Sequence, residues 1–262
     1  MSLNDIYRAG LAEVWRRDEY SQNKFLGAIS EIREMPVETF KKINAIFIPN
    51  DTYMREFFGL EITQSEYGCY VDDLCVWNNC LIIPITNIAK EVVGFVGFNP
   101  FNYLQVKESG DRSLAYYSYS TKKVFMKSNY IFTEEGEFTE AIKDGYIFIV
   151  DGVFDAVNVT EAGFHAGALM GSMVTEEILM QLRLVNKVIL IADNDEAGYK
   201  LYARLSKSLQ NVQLFKQGKT KDADELLKTE YRDEFIVQLR DAISEDYLTY
   251  IHASFSKSTC QN

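Results

Sequence analysis

Two short runs, at residues 146–150 and 187–192, are continuously apolar once past their first residue. A strand with one wet face alternates apolar and polar positions, so a run without polar positions must be covered on both faces. Each run leads into a helical pattern: residues 154–162, closed by Gly163, and residues 196–209. Two further pairs have the same form. Residues 166–169 read as a strand before a helix over 175–184, with Thr175 at its start and Glu176 and Glu177 in its first turn. Residues 212–215 read as a strand before a helix over 222–228. Strand and helix therefore alternate four times, which predicts a parallel sheet with helices on both faces. One more helix is expected from Asp233 to about Ile251, with a frayed end from Ser254.

The chain before this region has a different rhythm. Residues 3–34 carry apolar side chains at helical spacing, Pro36 interrupts, and residues 37–47 predict another short helix before a Pro49-Asn50-Asp51 turn. Residues 80–85 and 92–98 read as strands joined by a hairpin over 86–91, and residues 114–119 and 124–125 as further short strands. The expected organisation is a helical region (1–66), an antiparallel-sheet subdomain (67–144), a Rossmann-like parallel-sheet domain (145–230), and a C-terminal helix and tail (231–262). In fold class this is α/β, with an α+β N-terminal part preceding the parallel sheet.

Acidic residues gather where the parallel strands end. Asp151 follows the first apolar run, Asp193 and Asp195 follow the second, and Asp222 and Asp224 follow the last strand and its loop. The carboxyl edge of such a sheet is its functional edge. Five carboxylates placed there repel one another unless cations sit among them, and an all-oxygen donor set suits Mg²⁺ or Mn²⁺ rather than zinc. Singly, each motif is also an ordinary turn or helix cap. A calcium loop starting at Asp193 fails in register, because Ala197 stands at its fifth position and Arg204 at its twelfth, where glutamate belongs.

The segments IVDGVFDAVNVTEAG, ALMGSMVTEEIL, VILIADNDEAGYKLYARL and KDADELL, in this order, resemble the TOPRIM signature of bacterial-type primases, topoisomerases and some nucleases. In that likeness Asp193 and Asp195 match the metal-binding pair, Asp222 and Asp224 the last acidic motif, and Asp155 a further acidic position of the primase form. Asp151 replaces the family glutamate. Upstream, CLIIPITNIAKEVVGFVGF and LAYYSYSTKKVFMKSNYIF look like the catalytic core of DnaG-type primases, with Phe125 and Lys127 matching a Phe-x-Lys motif. Ser118, Ala115 and Asn79-Cys80 depart from the usual asparagine, lysine and basic residue. The likeness covers about residues 75–228.

The resemblance implies a nucleotidyltransferase that joins ribonucleotides into short RNA primers on single-stranded DNA. Asp151, Asp193, Asp195 and Lys127 would be catalytic, and Asp151, Asp193, Asp195, Asp222 and Asp224 would hold Mg²⁺ or Mn²⁺. Lys122, Lys123 and Lys127 form a basic cluster interleaved with aromatic residues, so these lysines and Tyr117 are expected to contact nucleotide or template. Expected partners are single-stranded DNA template, ribonucleoside triphosphates and a replicative helicase. A TOPRIM nuclease and a non-catalytic TOPRIM binding module of a replication complex are the alternatives. The zinc-binding and helicase-binding regions of a full-length primase are not expected within the chain, which would suit a phage-like or mobile-element protein.

A net charge of −11 runs against a nucleic-acid partner, although carboxylates at a metal site are neutralised by their ions. Of the four cysteines only Cys75 and Cys80 stand as a Cys-x₂₋₄-Cys unit, with no second unit to complete a zinc ribbon, so free thiols in a reducing, cytoplasmic setting are expected. No apolar run is long enough to span a membrane. His165 and His252 read as structural or solvated.

Overall fold

The structure, a computed structural model, describes residues 1–63, 69–71, 74–109, 127–170, 173–192, 196–215 and 223–244. The chain forms two compact units, Met1–Gly136 and Glu137–Asn262.

In the first unit, helix α1 (Leu3–Arg17) opens with a capping box between Ser2 and Asp5 and buries Ile6, Tyr7, Leu11 and Val14 along one face. The helical spacing over residues 3–34 is two helices, because Asp18 leaves helical geometry before α2 (Glu19–Arg33) begins. Helix α3 (Val37–Lys42) is shorter than the pattern suggests. Asn44 takes a positive φ of 56°, and Ile46–Ile48 becomes strand β1 instead. Packing overrides the local reading here, since all three residues are buried and their β-branched and aromatic side chains suit a pleated surface. The buried carboxamide of Gln22 accepts the Phe47 N–H at 3.0 Å and donates to the Phe47 carbonyl at 2.8 Å, satisfying that backbone.

Helix α4 (Asp51–Phe58) is capped by the Asn50 side chain, and β2 (Tyr70–Val71) pairs with β3 (Leu74–Cys75) as a small antiparallel ribbon. Strands β4 (Cys80–Thr86) and β5 (Val92–Phe98) form the expected hairpin and complete an antiparallel sheet in the order β1-β4-β5. Helix α5 (Pro100–Ser109) and the short strand β6 (Ile131–Phe132) follow. The strands expected at residues 114–119 and 124–125 lie outside the described residues.

The second unit alternates as expected. It starts with α6 (Glu137–Asp144), which the sequence pattern had left with the middle region and which packs on β7 (Tyr146–Val150). Then come α7 (Val153–Glu161), β8 (Ala166–Leu169), α8 (Glu176–Leu182), β9 (Lys187–Ile191), α9 (Glu196–Ser208), β10 (Val212–Phe215), α10 (Ala223–Leu227) and α11 (Arg232–Ser244). Within this unit the parallel strands lie in the order β10-β9-β7-β8. Ile147, Phe148, Ile149, Val188, Ile189 and Leu190 are essentially sealed from water. Each such side chain contributes about 1.5–3 kcal/mol of burial. The order places a topological switch between β7 and β9: one connection leads from β7 outward to β8, the next returns to β9 on the other side of β7. Ligand crevices open at such points, beyond the carboxyl ends of the strands.

Candidate metal and nucleotide site

Asp151 is the first residue beyond β7 and is exposed at the carboxyl edge of the sheet. The next residue, Gly152, is the N-cap of α7. A Cβ there would collide with the carboxylate of Asp155, which folds back from the first turn of α7 over the helix start. That site tolerates only glycine unless the acid moves.

Asp155 also reaches across to the last acidic motif. Its Oδ1 accepts the backbone N–H of Asp224 at 2.9 Å, fixing the beginning of α10 against α7. The Asp224 side chain is held as well. The Asn158 side-chain amide donates to Asp224 Oδ1, and the Lys228 ammonium lies 2.5 Å from the same oxygen. Both partners of that ion pair are mostly withdrawn from solvent, at 18% side-chain exposure each. A cation therefore already stands on a carboxylate of this edge. The oxygen-only chemistry of the acidic motifs is of the kind that suits a hard divalent ion.

Asp193, Asp195 and Asp222 lie outside the described residues, as do Lys122, Lys123 and Tyr117. Among the described residues no three His, Cys, Asp or Glu side chains are gathered closely enough to hold a metal. Lys127 opens a 3-10 turn, Lys127–Asn129, in the first unit and is half-buried. Sequence reasoning missed Asn158 and Lys228. Their signal was spacing: Asn158 is three residues after Asp155 and Lys228 four after Asp224, each on its neighbour's helix face.

His165 is held at the other edge of the sheet, before β8. Its Nδ1 lies 2.5 Å from Glu137 and its Nε2 2.8 Å from Asp144. Burial alone would lower its pKa, but the hydrogen bonds and charges of Asp144 and Glu137 outweigh burial and raise it. Among the described residues Cys69, Cys75 and Cys80 form no disulfide and are buried, and burial pushes the Cys80 thiol up to about 12. No helix among the described residues is long and apolar enough to cross a membrane.

A family model described as Toprim-like matches residues 148–227, the span that carries Asp151, Asp155 and Asp224. A DNA primase from Rickettsia bellii is 29% identical over 183 residues, which cover 66% of this chain and 29% of that protein. The chain is thus similar in sequence to DNA primases. A solved structure of the DnaG catalytic core superposes with a TM-score of 0.71 at 19% identity, covering 92% of this chain and 80% of that one. A DnaG primase catalytic domain bound to single-stranded DNA gives 0.68 at 18% identity, covering 91% and 80%. The likeness in fold therefore covers most of the chain. The chain spans under a third of the length of the Rickettsia relative.

Proposed function

We propose that this chain is a primase catalytic core that makes short RNA primers on single-stranded DNA. What supports this reading is the Toprim-like match at residues 148–227, on a chain whose fold resembles the DnaG catalytic core over 92% of its length. In this reading Asp151, Asp193, Asp195, Asp222 and Asp224 form the site for Mg²⁺ or Mn²⁺. The bound metal would supply Lewis-acid stabilisation of phosphoryl charge and ease ionisation of the attacking hydroxyl. The side chains do the rest by position: Asp155 and Asn158 hold α10 in place, and Lys127 neutralises triphosphate charge. Lys122, Lys123 and Tyr117 guide the template. Catalysis of this kind rests on placement and electrostatics more than on covalent chemistry by the protein.

The test is incubation with single-stranded DNA, labelled ribonucleotides and Mg²⁺ or Mn²⁺. Short RNA ladders are expected; shortened template would instead mean a nuclease, and template binding without product a binding module. D193A and D195A are expected to abolish the ladders while melting normally. Each removes a charge whose partners are cations, and relief of carboxylate repulsion offsets any loss of contacts. Normal ladders from either variant would refute the site.

A further inference from the structure

We propose that the exposed face of α9 is a docking surface for duplex nucleic acid, held through its phosphate backbone. The inference rests on the reading of the chain as a primer-making core and adds to it a place for the double-stranded product.

The face is the exception in its unit. Helix α9 carries Lys200, Arg204 and Lys207 against one acid, Glu196, for a net charge of +2. Helices α6, α7, α8 and α10 each carry −2, and α11 carries −1. Among the described residues, α9 is therefore the one net basic helix of the second unit. Its three cations also share a side. They are spaced by four and three residues, which on a helix of 3.6 residues per turn puts them within an arc of about 60°. All three residues are exposed, whereas Gly198, Leu201 and Leu205 on the other side are buried. Helix stability does not account for the pattern. The helix dipole favours bases only near the C-terminus, and of the three only Lys207 lies in the last turn. Lys200 pairs with Glu196 at 2.7 Å, but the two side chains are 62% and 83% exposed, so water and salt weaken that pair and a phosphate can replace it.

The shape of the face selects the form of the polyanion. Single strands are held in grooves, with their bases stacked on aromatic side chains. The cations of α9 stand instead on a convex helix. Tyr199, an exposed aromatic residue of α9, leaves the helix about 100° away from Lys200, and Ala203 beside the cations is too small to hold a backbone off. A duplex is a stiff rod with one charge per about 1.7 Å of axis, and a helix of 13 residues, about 20 Å long, can lie along its backbone. Contacts to phosphate carry no sequence information, which suits a product copied from any template. The acidic helices around α9 repel a polyanion and so confine it to the basic strip. Helix α9 starts at Glu196, soon after β9 ends at Ile191, so the strip begins at the carboxyl edge of the sheet and leads away from it. A duplex docked there has one end at that edge, where the proposed reaction extends it.

The experiment is fluorescence anisotropy of the full chain with a labelled blunt DNA duplex over a KCl series, with labelled single strand as the control. The wild type is compared with K200Q/R204Q/K207Q and K200Q/K207Q. Each phosphate contact on a duplex contributes about −0.9 to the slope of log affinity against log salt. The wild-type slope should therefore be steeper than that of the triple variant by about 2.7, and than that of the double variant by about 1.8. Single-strand affinity should be the same in all three. The double variant keeps Arg204, so the comparison stands even if replacing that residue disturbs the helix. Duplex slopes that coincide overturn the proposal, as does an equal loss of single-strand binding, which marks a general effect of charge. If the variants keep wild-type duplex binding and lose affinity for poly-glutamate, the face belongs to an acidic protein and the proposal also falls. Primer ladders measured alongside separate this proposal from the reading beneath it. Ladders with coincident duplex slopes leave the primase and remove the face; a steeper wild-type duplex slope without ladders leaves the face and removes the primase.

Discussion

Asp151 carries a carboxylate one methylene shorter than the glutamate usual at its position in the TOPRIM pattern. The residue is exposed directly beyond β7. If Asp151 holds metal or accepts a proton, an amide cannot replace it. D151N should lower primer yield by about a hundredfold or more, the scale of losing one group that stabilises developing charge. D151E should preserve or raise the yield; wild-type yield from D151N would reduce the position to a turn. His165 has a different role, between Glu137 and Asp144. Its folded-state pKa lies above the ordinary value of 6.5 because the two carboxylates outweigh burial. Folded protein then binds the proton more tightly than unfolded protein. The resulting stability is complete below the unfolded-state value and is lost as pH rises through the folded-state value. Asp144 is largely in water, so about 1 kcal/mol is the scale expected. Melts of wild type and H165Q from pH 5 to 9 check it: the wild-type advantage should shrink toward alkaline pH, and parallel profiles would remove the imidazolium from the account.

At the level of elements, α7 and α10 are joined by polar contacts. Asp155 serves both, lying over the start of α7 and accepting the Asp224 N–H. D155A leaves a donor unanswered and two helix starts without their acid. It should cost about 1–3 kcal/mol, the range for an orphaned polar group. Primer yield should fall too, because Asp224 loses its anchor. Chemical denaturation with and without Mn²⁺ measures the first effect, and an unchanged midpoint would show that the contact carries no weight. Asp155 also marks how far the sequence could be read. Its acidic character was visible, whereas its partner lies 69 residues away in sequence and only folding reveals the pair. The β7 and β8 spans were legible because each is a short, almost wholly buried run, and Gly145, at a φ of 81°, closes α6 into β7. The strand β1 was not legible. Three apolar residues fit helix or strand equally, and pairing with β4 decides between them. Lys228 was overlooked for a related reason: a lysine one turn after an aspartate reads as a solvated surface pair, and only its burial makes it otherwise.

For the whole molecule, the proposed function raises the question of how a chain with a net charge of −11 would hold a polyanion. Such a chain repels nucleic acid at long range, so affinity must come from a few local contacts and from cations at the acidic edge. In that reading the three lysines at positions 122, 123 and 127, a basic cluster in the sequence, would meet the phosphates. Each phosphate neutralised on a single strand releases counter-ions, and affinity falls with salt in proportion to their number. Three contacts predict a slope of log affinity against log salt of about −2, since each contributes about −0.7. That is shallow for a nucleic-acid protein. Fluorescence anisotropy with labelled single-stranded DNA over a KCl series, at constant Mg²⁺, measures it. The triple variant K122Q/K123Q/K127Q should bind more weakly at low salt and lose most of the slope. A wild-type slope steeper than about −5 would require many more phosphate contacts than three lysines supply, and would move the template path to another surface. A slope of about −2 that survives in the triple variant would do the same, because the released counter-ions would then belong to other cations of the chain.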